Sequence, residues 1–430
     1  MTESRLLDPY AGNILVERLN PLVSREEAMV GLRERPEIPP GIEDAPPHIR
    51  QHYLMRVRSL HIPALVEGRL WTTMDLMVRS FYGENDPAFA STWSVISGEK
   101  QKARKSSDSL FAAALGGPSG TGKTQAAHRC MKHCLGSQVI PHTSFPGVLN
   151  ETMLQLVWLS VDVPPSGKAK DLARALMQKS KDVTGTDRFD SWLVKEDIRD
   201  GQKALMEWEQ WAVAHFLGLL HLDEVQNFFK LQSLKQRKNR QGPAGEPELS
   251  LQEDAALKWL VNVANGGRFG VLVGGTMDGI AALTRRFSTA SRIFDLGFHA
   301  FEPYKSGSDP ALIKVLLPEL AKYQLVKVKL PLTVAQLGDL VYDLTSGVHR
   351  IIIGLWIAAH RIVFERKKDE LTEKDFKLAA ATLLAPLSDA INALKSNDPN
   401  RLRNYEDLVV KEGGAVWRNL YGEALTEEET

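Results

Sequence analysis

Three groups of residues in this chain have the types and spacing that phosphate chemistry requires. The run Gly117-Pro118-Ser119-Gly120-Thr121-Gly122-Lys123-Thr124 fits the pattern G-x-x-x-x-G-K-[ST]. The apolar residues 111–115 before it read as a short buried strand, and residues 125–129, starting at Gln125, read as the opening of a helix. Only in such a strand–loop–helix setting does the pattern carry meaning. Its glycines let backbone N–H groups turn inward around phosphate oxygens, and the helix N-terminus adds its positive end. Gly117 through Gln125 are therefore expected to cradle a nucleotide's phosphates, with Lys123 reaching the β- and γ-phosphates and the Thr124 hydroxyl ligating Mg²⁺. The second group is Leu219-Leu220-His221-Leu222-Asp223-Glu224, an apolar strand that ends in two carboxylates. Asp223 is expected to hold Mg²⁺, directly or through water, and Glu224 to polarise an attacking water. One carboxylate for the metal and one for the water is the minimum for hydrolysing a phosphoanhydride. The third group is cationic. Arg285, Arg286 and Arg292 follow a short helix expected over 278–283, and Arg350 opens an amphipathic helix expected over 351–361. Arginine stays charged and forks two hydrogen bonds to phosphate. The first three are candidates to reach a neighbouring subunit's γ-phosphate, Arg286 foremost, and Arg350 to swing onto the nucleotide from a helical lid.

The elements that must position these residues alternate. Apolar runs at 111–115, 155–162, 215–222 and 269–274 read as strands, separated by helical stretches, as in a parallel α/β sheet. Thr276, just past the fourth run, is placed to sense a γ-phosphate. Domain boundaries are expected as an N-terminal extension over 1–105, an α/β core over 106–305, a helical lid over 306–390 and a tail over 391–430. The extension opens proline-rich and then turns helical over 48–60 and 62–81. No internal repeat of solenoid or propeller period is evident.

Composition sets limits. Lysine plus arginine and aspartate plus glutamate are equal at 53 each, so net charge predicts no nucleic-acid partner and any such surface is a local patch. Two basic stretches qualify: one after the second strand, with Lys168 and Lys170, and an insertion over 230–249, with Lys235, Arg237 and Lys238. Basic loops at sheet edges track phosphates without reading sequence. No apolar run approaches the ~18 residues of a membrane span, and Met1-Thr2-Glu3-Ser4-Arg5 lacks the form of a signal peptide. A cytoplasmic protein with no membrane partner is expected. The two cysteines, Cys130 and Cys134, lie one helical turn apart, whereas His128 and His133 fall on other faces. Buried free thiols are expected, with no metal site.

Together these features resemble the AAA+ ATPases and, more narrowly, the TnsC/TniB family of transposition regulators. The narrower similarity rests on Arg18-Leu19-Asn20-Pro21-Leu22, on Phe81-Tyr82-Gly83-Glu84-Asn85-Asp86-Pro87 and on Val161-Asp162-Val163-Pro164 with Ser166-Gly167-Lys168. It extends to Gly275-Thr276 before the double arginine, to Lys322-Tyr323-Gln324, Pro331-Leu332-Thr333 and Ser346-Gly347 in the lid, and to residues 393–399 and 404–408 in the tail. One departure is that the family often has Gly-Gly after the lid serine, whereas here the run is Gly347-Val348-His349-Arg350. The resemblance implies ATP and Mg²⁺ as cofactors and homo-oligomers, as rings or helical filaments on duplex DNA. It also implies that the protein links a target-selector protein to a transposase, with ATP hydrolysis disassembling the filament. It places Lys168 and Lys170 on a DNA-facing loop. Two other readings share the same motifs: a helicase-loader or initiator ATPase, and a signalling or scaffold NTPase that never touches DNA.

Overall fold

Strands that are covered on both faces read as unbroken apolar runs, and the central sheet of this protein is built from such runs. The structure, a computed structural model, describes residues 8–96, 111–148, 152–194, 198–231, 249–251, 254–284 and 294–396. The strands are β1 (Ala112–Gly116), β2 (Val139–His142), β3 (Met153–Leu156), β4 (Trp158–Asp162), β5 (Leu219–Asp223), β6 (Phe229–Leu231), β7 (Leu249–Leu251), β8 (Gly270–Gly275) and β9 (Phe298–Ala300). Five of them form the main sheet in the order β4-β5-β8-β1-β9, and every neighbouring pair is parallel. β1, β5 and β8 are buried along their whole length.

Two expected strands differ from what is observed. The run 155–162 is two strands: β3 pairs antiparallel with β2, and β4 enters the main sheet beside β5. The break falls at Val157, where the chain changes partners. Its N–H donates to Gln138 O at 2.8 Å, while its carbonyl accepts from Leu219 N at 3.0 Å. The run 215–222 is a strand only from Leu219, because the Gly201–Ala214 helix runs up to a turn in which Phe216 takes φ 51°. The insertion over 230–249 starts and ends in the antiparallel pair β6 and β7, and Lys235, Arg237 and Lys238 lie outside the described residues.

The chain divides into two compact units. The first holds residues 1–28, 68–116 and 124–300, and the second holds 29–67, 117–123 and 301–430. The segment expected as one N-terminal extension is thus shared between them. In the first unit the early residues are tied to the helices and the β2–β3 pair by long-range polar contacts. Asn13 Nδ2 donates to Tyr82 O at 2.7 Å, and the buried Gln155 amide donates to Leu15 O at 2.9 Å. Asn20 Nδ2 donates to His133 O at 2.7 Å, satisfying one of the last carbonyls of the Lys123–Leu135 helix. Cys130 and Cys134 on that helix are buried free thiols, as expected. Cys134 Sγ lies 3.4 Å from Asp75 Oδ1, and burial raises its thiol well above the usual range.

The second unit is helical. Its core joins Leu312, Leu316, Leu340, Ile352, Leu355, Trp356 and Phe376 with Leu54, Val57 and Leu60. The Val334–Thr345 helix starts in a capping box between Thr333 and Gln336 and ends at Ser346, in the left-handed conformation with φ 51°. The His349–Phe364 helix follows. No single helix among the described residues is long and apolar enough to cross a membrane.

Candidate active site

Ligands of open α/β sheets gather at the carboxyl ends of the strands, and the chemistry-bearing residues of this chain leave β1, β5 and β8 at those ends. After β1 comes the glycine-rich loop. Gly117 sits so close to Phe301 that a Cβ on it would lie 2.0 Å from the Phe301 carbonyl oxygen. Gly122 has φ 94°, a conformation that side chains other than glycine's rarely adopt. Within the loop Thr121 Oγ1 donates to Pro118 O at 2.9 Å. Lys123 Nζ donates to the carbonyls of Gly117 at 2.7 Å and Pro118 at 3.0 Å. Arg350 stands at this loop: its backbone N–H donates to Gly120 O at 3.0 Å, and its side chain is exposed. Ser119 is half-buried in the same loop, and Gln125 is exposed in the first turn of the helix that follows.

Thr124 and Asp223 meet, although β8 separates their strands. The Thr124 hydroxyl donates to Asp223 Oδ2 in a short hydrogen bond. Asp223 is 2% exposed, and its other oxygen accepts Glu224 N at 2.9 Å. The intervening strand makes this possible by lacking a side chain. A Cβ on Gly274 of β8 would lie 2.8 Å from Asp223 Oδ1 and 3.2 Å from His221 Nε2. A hydroxyl and a carboxylate side by side form a hard oxygen donor set that suits Mg²⁺, which binds through few protein oxygens and keeps several waters.

Glu224 is exposed and takes φ 57°, ψ 37°, the left-handed region. Its carboxylate accepts a hydrogen bond from Gln226 Nε2. The same amide's oxygen accepts Thr276 N at 3.1 Å. Thr276 is buried, and its Oγ1 lies 3.4 Å from Gly279 N at the start of the Met277–Thr284 helix, so its hydroxyl works there as a cap. Behind Asp223, His221 Nδ1 lies 2.9 Å from Ser160 Oγ, which in turn lies 2.8 Å from His128 Nε2. Burial pushes His221 down to about 4 against the opposing pull of Asp223, and burial lowers His128 as well. This row is uncharged at neutral pH.

Lys168 is exposed at the N-cap position of the Ala169–Thr184 helix, without a capping bond from its side chain, and Lys170 lies in that helix's first turn. The loop before them is fastened to the acidic strand tip. Val163 N donates to Asp223 O at 2.9 Å, and Asn227 Nδ2 donates to Val163 O at 2.7 Å. Arg285, Arg286 and Arg292 lie outside the described residues. Sequence reasoning missed Gly274, Gln226 and the His128–Ser160–His221 row. The Gly274-Gly275 pair at a strand end was a signal for the first, whereas nothing in the spacing distinguished the others.

A parallel sheet with a phosphate loop after one strand, an acid pair after another and an interposed strand between them defines an α/β P-loop NTPase fold. Among solved structures, the chain is similar to the Aeropyrum pernix Orc1 protein in complex with DNA, at 16% identity and TM-score 0.40 over 64% of this chain and 60% of that one. It is also similar to Cdc6p from Pyrobaculum aerophilum, at 11% identity and TM-score 0.40 over 62% and 59%. The match therefore spans about 60% of the length of each of these proteins. No family model and no curated protein matches the chain.

Proposed function

We propose that this protein hydrolyses ATP and uses the nucleotide state to control its assembly on duplex DNA. The observation that carries the hydrolytic half is the Thr124–Asp223 contact made across β8, with Glu224 beside it. In this reading the loop N–H groups from Gly117 to Thr124 and the Lys123 ammonium hold the β- and γ-phosphates, with Gln125 in the first helical turn. Thr124 and Asp223 would hold Mg²⁺, which neutralises phosphate charge when bound. Glu224 takes the proton of a water whose oxygen bonds to the γ-phosphorus while the bond to the β–γ bridging oxygen breaks, leaving ADP and phosphate. Thr276 faces the γ-phosphate, Arg350 reaches the phosphates from the lid, and Arg286, with Arg285 and Arg292, serves the site of a neighbouring subunit in a ring or filament.

The DNA half is supported by the tether between the Lys168 loop and Asp223, which gives a route from nucleotide to a cationic surface. Lys170, Lys235, Arg237 and Lys238 would add phosphate contacts. The transposition role, with a transposase and a target-selector protein as partners, is supported by the residue strings that resemble the TnsC/TniB family. Lys123→Ala is expected to abolish nucleotide binding and oligomers. Glu224→Gln is expected to bind ATP, to slow turnover by roughly 100-fold or more, and to persist on DNA. A Glu224→Gln protein that leaves DNA as fast as wild type in ATP would overturn the hydrolysis-release scheme. Binding to random duplex DNA that requires ATP and weakens steeply with salt rejects the scaffold reading. Co-purification with a helicase in place of a transposase would turn the assignment to an initiator or loader.

A further inference from the structure

Gln226 belongs to none of the motifs above, yet its side-chain amide touches two of them. It donates through Nε2 to the Glu224 carboxylate and accepts through Oε1 from Thr276 N at 3.1 Å. The space it occupies is kept open by two glycines. A Cβ on Gly275 would lie 2.7 Å from Gln226 Oε1, and one on Gly279 would lie 2.7 Å from Gln226 Cβ. Both glycines flank Thr276, one at the end of β8 and one in the first turn of the helix after it. Glu224 needs such a hold. It is exposed, it sits in the left-handed region with φ 57°, and an exposed glutamate side chain has several rotamers to be fixed among.

From this geometry we infer that Gln226 is a positioning residue: it holds the Glu224 carboxylate in one orientation and ties that orientation to the tip of β8, where Thr276 stands. The inference rests on reading Glu224 as the group that polarises the attacking water. The amide does both jobs because it has a donor for the carboxylate and an acceptor for the backbone N–H on one rigid plane. A shift of Thr276 toward or away from a γ-phosphate then turns Glu224 with it.

Three substitutions separate the bonds. Gln226→Met keeps the volume and loses both. Gln226→Glu keeps an acceptor for Thr276 N and loses the donor to Glu224. Gly275→Ala displaces the amide without altering it. Steady-state turnover, binding of a fluorescent ATP analogue and the thermal midpoint are measured for each. Gln226→Met and Gln226→Glu are expected to lower kcat by roughly 10- to 100-fold while analogue affinity stays within about 3-fold. Gly275→Ala is expected to lower kcat in the wild-type background, yet by less than about 2-fold in the Gln226→Met background, because both changes break one linkage. Wild-type kcat in Gln226→Glu, or multiplying effects of Gly275→Ala and Gln226→Met, would overturn the inference. Should Gln226→Met fail to fold, Gln226→Glu and Gly275→Ala still decide it. A wild-type protein that neither binds the analogue nor turns over ATP would instead sink the proposed function itself, a distinct result.

Discussion

Buried polar groups do different things in the two units. In the α/β unit one set gathers at the strand ends and its members face one another, Asp223 with Thr124, Gln226 with Thr276, and His221 with Ser160, while others such as Glu209, which accepts from Trp259 Nε1 at 2.9 Å, tie elements together. In the helical unit they are scattered, and several tie one element to another. Arg50, 4% exposed, pairs with Asp369 at 2.8 Å, donates to Leu325 O at 2.8 Å and lies 4.8 Å from the Phe364 ring centroid. Asp375, 1% exposed, takes two bonds from Arg366 at 2.6 and 2.9 Å. Burial with charge is thus common to both, and what marks chemistry is convergence at the strand ends.

Substitutions can test that contrast. The largest effect is expected from Gly274→Ala, whose methyl would press on the Asp223 carboxylate. Turnover should fall by roughly 10- to 100-fold and need more Mg²⁺, with the fold intact by circular dichroism. In the helical unit, Arg50→Met should do the reverse. Removing one partner of a buried pair should cost about 3–5 kcal/mol in urea unfolding, while the folded fraction keeps wild-type turnover per molecule. Equal damage to turnover from Arg50→Met would erase the distinction.

The smallest effect concerns pH. Burial pushes His360 down to about 4, and its Nδ1 donates to Trp356 O at 2.8 Å. The folded protein therefore keeps this ring neutral, while the unfolded chain takes up its proton near the ordinary 6.5. The contribution to stability is complete above that value and is lost as pH falls toward 4, at up to about 1 kcal/mol per pH unit for one such group. His360→Phe should flatten that acid limb of the urea midpoint in proportion. An unchanged slope would show that the folded ring takes up its proton as readily as the unfolded chain does.

The strand–loop–helix around Lys123, the acidic end of β5 and the helical character of residues 334–364 were legible in the sequence because each depends on local pattern. The split at Val157 was not, because an unbroken apolar run cannot reveal where a strand changes partners. Gln226 was hidden for a related reason: a glutamine two residues past an acid has no signature, and its role arises only when β5 and β8 lie side by side. The two glycines of β8 gave a visible sign whose meaning depends on Asp223 reaching past them.

The contact of Asn20 with the far end of the Lys123–Leu135 helix has a practical consequence. Expression truncations that start just ahead of the strand leading to Lys123 would strip a brace from that helix as well as a peripheral tail. Such shortened proteins should be checked for soluble yield and protease resistance before any loss of activity is blamed on missing partner contacts.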